Sequence, residues 1–338
     1  MLRGNASEIL PSRLLFDHSV RLTEKQLNRD WTCESSTVSS DVVPVTESKP
    51  EWSPSPQYAK VAEANRQYYA KNASAYDKTS VCGKDSEFQQ HLELSLAEVL
   101  EHLDRPASEL RVLDACGGTG NVAIKLLKRG LDVTLTDISR EQLAIFEQKC
   151  TTLPRRARVV CSEIASFLVE HPGQFDLIVF SSALHHLEGY TAVLKLCLKA
   201  LRPGGLVFTL LDPTIAVRRK FLVRVGSRLD YFAFLCLDNA ADLPRAIGRR
   251  LKRMVSGSQK QNCAQMQIND ATLGVLAEYY AMRGIDDLKL VEELREEGFE
   301  IVWHKRIVGG RYALTRKLVE WTGEKTEFEL LLRKPALS

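Results

Sequence analysis

The sequence contains no long hydrophobic run. Its longest apolar stretches, such as residues 175–183, are interrupted by Asp176 and by two serines. A membrane-spanning helix requires about 18 or more consecutive apolar residues. We therefore expect no transmembrane segment.

Closely spaced cysteine pairs are also missing. The chain has eight cysteines and no CxxC pair, and the cysteines stand at positions 33, 82, 116, 150, 161, 197, 236 and 263. A structural zinc site usually takes two ligands from one tight turn, and a reducing compartment keeps thiols free. The sequence thus predicts free thiols and no bound metal.

Neither sign of charge dominates the chain. The 338 residues include 46 Lys and Arg against 43 Asp and Glu, a formal net charge of +3, and 44% of them are hydrophobic. These values are typical of a globular protein and exclude a collagen-like, fully disordered or disulfide-stapled chain. The length allows two domains, or one large domain with an insertion and a tail.

The first part of the chain differs from the rest. Residues 32–57 are dense in Ser, Thr, Pro and Glu and have no apolar period, so they bury too little apolar surface to offset the entropy of ordering. We predict a disordered leader over residues 1–56 and a folded domain over residues 57–338. The leader has no apolar core for a secretory signal. Its recurring arginines leave a mitochondrial transit peptide as an alternative, but acidic residues interrupt them, so the prediction is a cytoplasmic protein.

From residue 111 onward, apolar runs alternate with helical patterns. Strands are expected at 111–116, 132–138, 157–163, 175–183, 205–213, 300–308 and 326–335, after two helices within 58–103. Such alternation specifies parallel βαβ units with helices on both sheet faces. Only about seventeen residues separate the last two strands, which is too few for a full crossover. We predict a Rossmann-like, doubly wound α/β sheet of seven strands, mostly parallel, with an antiparallel last strand.

A glycine-rich turn, DACGGTGNVA, follows the first strand at residues 114–123. Glycines there let the backbone approach a ligand, and the next helix offers free N–H groups. Asp137 ends the second strand, where a carboxylate can accept hydrogen bonds from a ribose diol. The pattern predicts a nucleoside bound across the carboxyl ends of the strands. Gly118-Thr119-Gly120-Asn121-Val122-Ala123 also matches the dinucleotide pattern GxGxxA, which keeps an NAD(P)-dependent oxidoreductase as an alternative.

The segments VLDACGGTGNVA, TDIS, FDLIVFSSALHHL and LRPGG occur in that order. With them the sequence resembles the class I S-adenosylmethionine-dependent methyltransferases, and in particular the small-molecule branch that includes quinone-biosynthesis enzymes. The resemblance covers residues 60–212 well and the last two strands loosely. It implies S-adenosyl-L-methionine as cofactor and methyl transfer to an O, N or C nucleophile of a small, hydrophobic or anionic molecule.

The resemblance also implies a set of cofactor-binding residues. In the acid-x-Gly-x-Gly-x-Gly motif of the family, Cys116 stands where the first glycine is expected. Glu163 stands where the family more often has Asp. The implied cofactor-binding residues are Tyr69, Tyr76, Asp114, Cys116, Gly118, Gly120, Asp137, Ile138, Glu163, Ile164 and Ser181.

Two adjacent histidines follow the fourth strand. His185 and His186 are placed to act as a general base if the methyl acceptor must lose a proton. The structural alternative is that one packs under the sheet edge and the other is a solvated residue at a helix start.

Residues 215–285 form an insertion after the fifth strand, where this fold commonly carries a lid over the acceptor pocket. Residues 218–253 contain ten Lys and Arg and three Asp. This basic, amphipathic helical lid suits an anionic or lipid-like acceptor, or peripheral contact with an anionic surface. Its structural alternative is a solvated helix pair. A nucleic-acid acceptor is disfavoured because the Asn/Asp-Pro-Pro-aromatic signature is absent. An RNA or protein methyltransferase and a non-catalytic nucleoside-binding subunit stay as alternatives.

Overall fold

The computed structural model describes residues 52–79, 86–153, 155–216, 221–237, 248, 266–270, 272–278, 281, 283–309 and 313–336. These residues all belong to one compact unit, Lys49–Ser338. Among them, no helix is both long and apolar enough to cross a membrane.

Seven strands form one sheet in the order β3-β2-β1-β4-β5-β7-β6. Their bounds are β1 Arg111–Ala115, β2 Asp132–Asp137, β3 Arg158–Cys161, β4 Phe175–Ser181, β5 Leu201–Pro213, β6 Glu300–Ile307 and β7 Glu327–Arg333. The first five strands are parallel, and β7 is antiparallel to both β5 and β6. The predicted sheet and its antiparallel last strand are confirmed.

The helices flank this sheet. Their bounds are α1 Pro56–Thr79, α2 Ser86–Glu101, α3 Asn121–Lys128, α4 Arg140–Cys150, α5 Ile164–Glu170, α6 Tyr190–Ala200, α7 Phe221–Leu237, α8 Leu273–Ala277, α9 Asp287–Glu296 and α10 Ala313–Trp321. A short 3₁₀ turn, Leu184–His186, follows β4. Helix α10 fits between β6 and β7 because their antiparallel pairing needs no crossover.

Both faces of the sheet are buried. On one face the core includes Leu92, Leu96, Leu126, Leu143 and Phe146 of α2, α3 and α4. On the other it includes Phe167, Leu194 and Leu294 of α5, α6 and α9. Successive strand residues alternate between these cores, since Val112 lies in the first and Leu113 in the second, as the twofold period of a strand requires. Two-sided burial explains why the strands read as continuous apolar runs.

The predicted leader, residues 1–56, lies outside the described residues except for its last five. In that part, Trp52 packs edge-on against Tyr58 with ring centroids 5.2 Å apart. Of the predicted lid, residues 215–285, the structure describes α7 and the segments around α8. Met266, Leu273 and Leu276 of the lid pack against α1. The domain boundaries and the covering role of the lid stay predictions.

Gly120 occupies a tightly packed, left-handed position at the start of α3. Its φ angle is 81°, and a Cβ there would overlap the ring of Phe146. Gly130, at the end of the same helix, has a φ of 85° and no atom within 4 Å of its Cβ position. The two glycines therefore share a backbone conformation and differ in packing.

We expect Gly120→Ala to lower the free energy of unfolding by about 2–4 kcal/mol, because left-handed strain adds to overpacking. The matched variant Gly130→Ala should lose only about 1 kcal/mol, from backbone strain alone. Chemical denaturation of both variants measures the difference. Equal losses would contradict the packing role of Gly120.

Candidate functional site

A cavity opens at the carboxyl ends of strands β1 to β4. It contains about 1020 Å³ of empty space, part of which is open to solvent. Residues after each of the four strands line it together with the inner face of α1. Parallel strands that end at a common edge create this position, which is where open α/β sheets bind ligands.

Asp114 fixes the glycine-rich loop that forms the floor of the cavity. Its Oδ2 accepts a hydrogen bond of 2.8 Å from the N–H of Ala123 in the first turn of α3. A Cβ on Gly117 would lie 2.7 Å from the carboxyl group of Asp114, so only glycine fits. Cys116, in place of the first glycine of the family motif, has a φ of 55°. The loop is thus a strained turn closed around one carboxylate.

Asp137, at the end of β2, holds the other side of the loop. Its Oδ2 accepts a hydrogen bond of 2.9 Å from Gly118 N–H, and its Oδ1 accepts one of 2.8 Å from Ser139 N–H. Burial raises the pKa of Asp137 to about 6 and that of Asp114 to about 7. Both carboxylates therefore gain from a ligand that donates hydrogen bonds or carries positive charge.

Four buried polar atoms at the cavity have no hydrogen-bond partner among the described residues. They are Asp114 Oδ1, Gln142 Oε1, Asn65 Oδ1 and Asn121 Nδ2. A buried polar group without a partner costs about 1–3 kcal/mol, so the cavity favours a ligand that supplies the missing partners. Three of the four atoms are acceptors, which points to a ligand rich in donors.

Glu163 has a structural task at the cavity wall. Its carboxylate caps helix α5 by accepting hydrogen bonds of 2.9 Å from Ala165 N–H and 3.0 Å from Ser166 N–H. The hydroxyl of Tyr58 donates to the same carboxylate. Both carboxylate oxygens thus have protein partners, and Glu163 and Ile164 both line the cavity.

The two histidines lie in different environments. His185 is buried, and its Nδ1 is 2.8 Å from Oδ1 of the buried Asp212. Burial alone lowers the pKa of His185, but the hydrogen bond and charge of Asp212 outweigh it and raise the pKa. His186 lines the cavity, and burial, together with neighbouring His185, lowers the pKa of His186 to about 4.

Side chains from the insertion and from α1 surround His186. The hydroxyl of Tyr69 lies 2.9 Å from Nε2 of His186 and 3.2 Å from Oε1 of Glu278. Asn65 donates a hydrogen bond of 2.7 Å to the carbonyl oxygen of His186. His185, His186 and Glu278 each offer one potential metal-ligand atom, a ring nitrogen or a carboxylate oxygen. These three atoms lie within 4.8 Å of one another, so the cluster could hold a metal ion.

The structure brings most of the predicted site residues together. The residues that line the one cavity are Tyr69, Tyr76, Asp114, Cys116, Gly118, Asp137, Ile138, Glu163, Ile164, Ser181 and His186. Gly120 and His185 do not line it. Gly120 instead packs against Phe146, and His185 lies behind His186 with ring centroids 3.9 Å apart.

The sequence analysis missed several residues at this site. Tyr58, Asn65, Gln142 and Asn121 line the cavity, and Asp212 and Glu278 hold the histidines or their partners. Three of them, Tyr58, Asn65 and Gln142, lie on helices without a motif, where a polar side chain is ordinarily solvated. Asn121 could have been predicted from the sequence, because it directly follows Gly120 within the glycine-rich motif.

Comparison with known proteins agrees with this geometry. Residues 112–205 match the model of the family described as a methyltransferase domain, which confirms the resemblance inferred from the glycine-rich loop. The matched segment begins in β1 and ends in β5, so it contains the loop, Asp137 and both histidines.

Relatives with described activities match about a third of this chain. A ubiquinone biosynthesis O-methyltransferase of Chromobacterium violaceum is 30% identical over 127 residues, which are 37% of this chain and 54% of the relative. A tRNA 5-carboxymethoxyuridine methyltransferase of Escherichia coli is 34% identical over 125 residues, which are 34% of this chain and 47% of the relative. The chain thus spans about half the length of the curated relatives it matches.

Among solved structures, the crystal structure of the cyclase SpnF is similar with a TM-score of 0.50 and 16% sequence identity. The match covers 84% of this chain and 99% of that chain. At this identity the likeness concerns the fold alone, and it confirms the predicted fold class. One fold supports different reactions, so the reaction must be argued from the site.

The raised pKa of Asp114 makes stability depend on pH. An unfolded chain releases the Asp114 proton near the ordinary pKa of 3.8, whereas the folded protein keeps it until about pH 7. The folded state therefore binds more protons between these values, and its stability falls as the pH rises through that window.

We expect Asp114→Asn to reduce this fall between about pH 4 and pH 7 by more than about 1 kcal/mol. Denaturation at the two pH values measures the effect. Asp132→Asn, an exposed aspartate at the start of β2, serves as the control and should behave as the wild type. An unchanged pH dependence in Asp114→Asn would refute the explanation.

Proposed function

We propose that the protein is an S-adenosylmethionine-dependent methyltransferase that transfers a methyl group to an O, N or C nucleophile of a small, hydrophobic or anionic molecule. The observation that carries the proposal is the set of unpaired acceptor atoms at a cavity whose floor lies inside the matched methyltransferase domain. S-adenosyl-L-methionine offers hydrogen-bond donors in its ribose diol and its amino groups. These donors would be partners for the unpaired acceptor atoms at the cavity.

The residues present fit this cofactor. Asp137 would hold the ribose diol, Ile138 and Ile164 would pack on the adenine, and Asp114 Oδ1 would accept from a donor of the cofactor. Ser181, Tyr69 and Tyr76 line the remaining wall, where we place the methionine end. Cys116 and Gly118 shape the loop. When bound, the cofactor supplies a methyl group on a sulfonium that is already activated for transfer.

The protein's own contribution is alignment and exclusion of water, which can supply several kcal/mol of the barrier. Tyr69 and Tyr76 stack edge-on with centroids 5.8 Å apart, so α1 presents an aromatic wall at the cavity. We propose that His186, which lines the cavity, assists removal of the acceptor's proton. His185 acts indirectly, since its Nδ1 is engaged with Asp212.

The acceptor class rests on two further points. The Chromobacterium violaceum relative is a ubiquinone biosynthesis O-methyltransferase, and the insertion is basic and rich in apolar residues. Both support a hydrophobic or anionic small molecule. We keep the cytoplasm as the proposed location.

Calorimetry with S-adenosylhomocysteine tests the proposed cofactor. We expect wild-type protein to bind it, and Asp137→Ala to bind it about 100-fold or more weakly, because a buried carboxylate that accepts hydrogen bonds contributes roughly 1.5–3 kcal/mol for each bond. Asp132→Ala, at the opposite end of the same strand, should retain wild-type affinity. Wild-type protein that gives no binding heat would rule out the proposed function.

We also propose that helices α7 and α10 contact an anionic lipid surface. Leu222, Val225, Leu229 and Phe232 recur on one helical face of α7, and Leu222, Leu229 and Phe232 are about half exposed. Trp321, on α10, is 88% exposed. The two helices are in contact, so their apolar side chains can share one surface.

Charge favours an anionic occupant for this surface. Arg228 is exposed on α7, and it is one of ten Lys and Arg, against three Asp, over residues 218–253. Basic residues beside an apolar helix face are the signature of binding to anionic lipid. Such contact would bring a hydrophobic acceptor within reach of the cavity.

Vesicle sedimentation tests this contact. Wild-type protein should bind vesicles that contain phosphatidylserine and should bind pure phosphatidylcholine much less. Phe232→Ser should weaken binding about tenfold, since withdrawing a phenylalanine from an apolar layer costs roughly 1.5–3 kcal/mol. Leu288→Ser, at a 54% exposed leucine of α9, is the control. Absence of binding, or equal binding by the two variants, would overturn the proposal.

A further inference from the structure

Four polar side chains from three separate parts of the chain converge at the end of the cavity. His185 and His186 come from the turn after β4, Glu278 follows α8, and Tyr69 lies on α1. One potential metal-ligand atom of each histidine and of Glu278 lies within 4.8 Å of the other two. The Tyr69 hydroxyl is 2.9 Å from His186 Nε2 and 3.2 Å from Glu278 Oε1.

Each imidazole is oriented by a partner on its Nδ1. His185 Nδ1 lies 2.8 Å from the buried carboxylate of Asp212, which also accepts the backbone N–H of His185 at 3.0 Å. His186 Nδ1 lies 3.0 Å from the carbonyl oxygen of Ala277. A carbonyl can only accept, so Nδ1 of His186 carries the proton and Nε2 keeps its lone pair.

This arrangement is the usual one around metal-binding histidines. Their outer nitrogen donates to a carboxylate or a backbone carbonyl, which fixes the tautomer and aims the other nitrogen at the metal. Within the described part of the chain, Nε2 of His185 has no hydrogen-bond partner. Asp212 and Ala277 would thus be the outer partners, and the two Nε2 atoms the ligands.

The donor set suits a divalent transition metal, which would draw together ligand atoms that lie within 4.8 Å of one another. Two neutral imidazoles and one carboxylate form a site for Zn²⁺, Co²⁺ or Fe²⁺, with metal–ligand distances of about 2.0–2.2 Å. Ligand atoms of a tetrahedral site with such bonds are about 3.3 Å apart. The Tyr69 hydroxyl shows that an oxygen atom fits at this spacing beside both His186 and Glu278.

We propose that His185, His186 and Glu278 form a divalent-metal site at the end of the cavity. Three protein ligands leave a position open, and because His186 and Tyr69 line the cavity, that position faces the space for the acceptor. Binding of the cation is inferred from the positions of these side chains and does not depend on the proposed function. This proposal departs from the sequence prediction of no metal, which considered only the spacing of cysteines.

The open position would take an oxygen of the acceptor, a step that rests on the proposed function. A hydroxyl bound to a divalent cation loses its proton to water more readily than a free hydroxyl does. The acceptor would then be an oxygen nucleophile such as a phenol or an enol. The histidines would assist proton loss as ligands of the cation.

Titration of chelator-treated, tag-free full-length protein with Co²⁺ tests the site. The visible absorption of Co²⁺ reports nitrogen and oxygen coordination, and calorimetry gives the affinity. We expect one bound Co²⁺ per chain, and at least about tenfold weaker binding by Glu278→Gln and by His186→Gln. Glu278→Gln preserves shape and changes a half-buried residue, so folding should be unaffected.

Glu188→Gln, at another carboxylate that lines the cavity, is the matched control and should bind Co²⁺ like the wild type. Wild-type protein that binds no Co²⁺, or equal affinities for wild type and Glu278→Gln, would overturn the proposal. Calorimetry with S-adenosylhomocysteine on the same samples separates the two ideas. Intact nucleoside binding without Co²⁺ binding would refute the metal site alone, and Co²⁺ binding without nucleoside binding would refute only the proposed function.

Discussion

The buried carboxylate of Asp114 is the constraint on which the site depends. By accepting the N–H of Ala123 it joins the end of β1 to the first turn of α3, and by its closeness it restricts position 117 to glycine. Its second oxygen is left without a partner at the cavity. One side chain therefore shapes the loop, accepts a hydrogen bond from the first turn of α3, and keeps one oxygen available to a hydrogen-bond donor. Asp137 closes the loop from the neighbouring strand through Gly118.

The far end of the cavity has a different origin. The turn after β4 presents two histidines, of which one is held by Asp212 on β5 and the other by the carbonyl of Ala277. The insertion after β5 therefore returns to the site, and it contributes Glu278 through the hydroxyl of Tyr69. The end of the cavity that we propose for the nucleoside is built from strand ends of the sheet, whereas the end proposed for the acceptor combines the sheet with α1 and the insertion. This division suits a constant donor and a variable acceptor.

The sequence predicts that residues after the strand ends converge on one cavity, because the determinants of this position are local. Apolar runs locate the strands, and parallel strands end at a common edge. Asp137 follows from its position at a strand end, and Asp114 and Gly118 follow from the family motif. Gly120 shows the limit, since a glycine required by packing against Phe146 looks the same in sequence as one required by a ligand. His185 and His186 are adjacent in sequence, but the 3₁₀ turn places His186 at the cavity and His185 behind it. Asn65 and Glu278 reach the site only through packing of distant segments, which no local pattern encodes.

The proposed transfer of a methyl group to a small molecule can be measured with a labelled methyl donor. Full-length protein is incubated with tritiated S-adenosylmethionine and a cell extract, and the label is then separated into metabolite, lipid, nucleic-acid and protein fractions. We expect wild-type protein to place the label in the metabolite or lipid fraction. The Asp137→Ala variant should transfer no label. Label confined to RNA or protein, or no transfer by protein that binds S-adenosylhomocysteine, would contradict the proposed function.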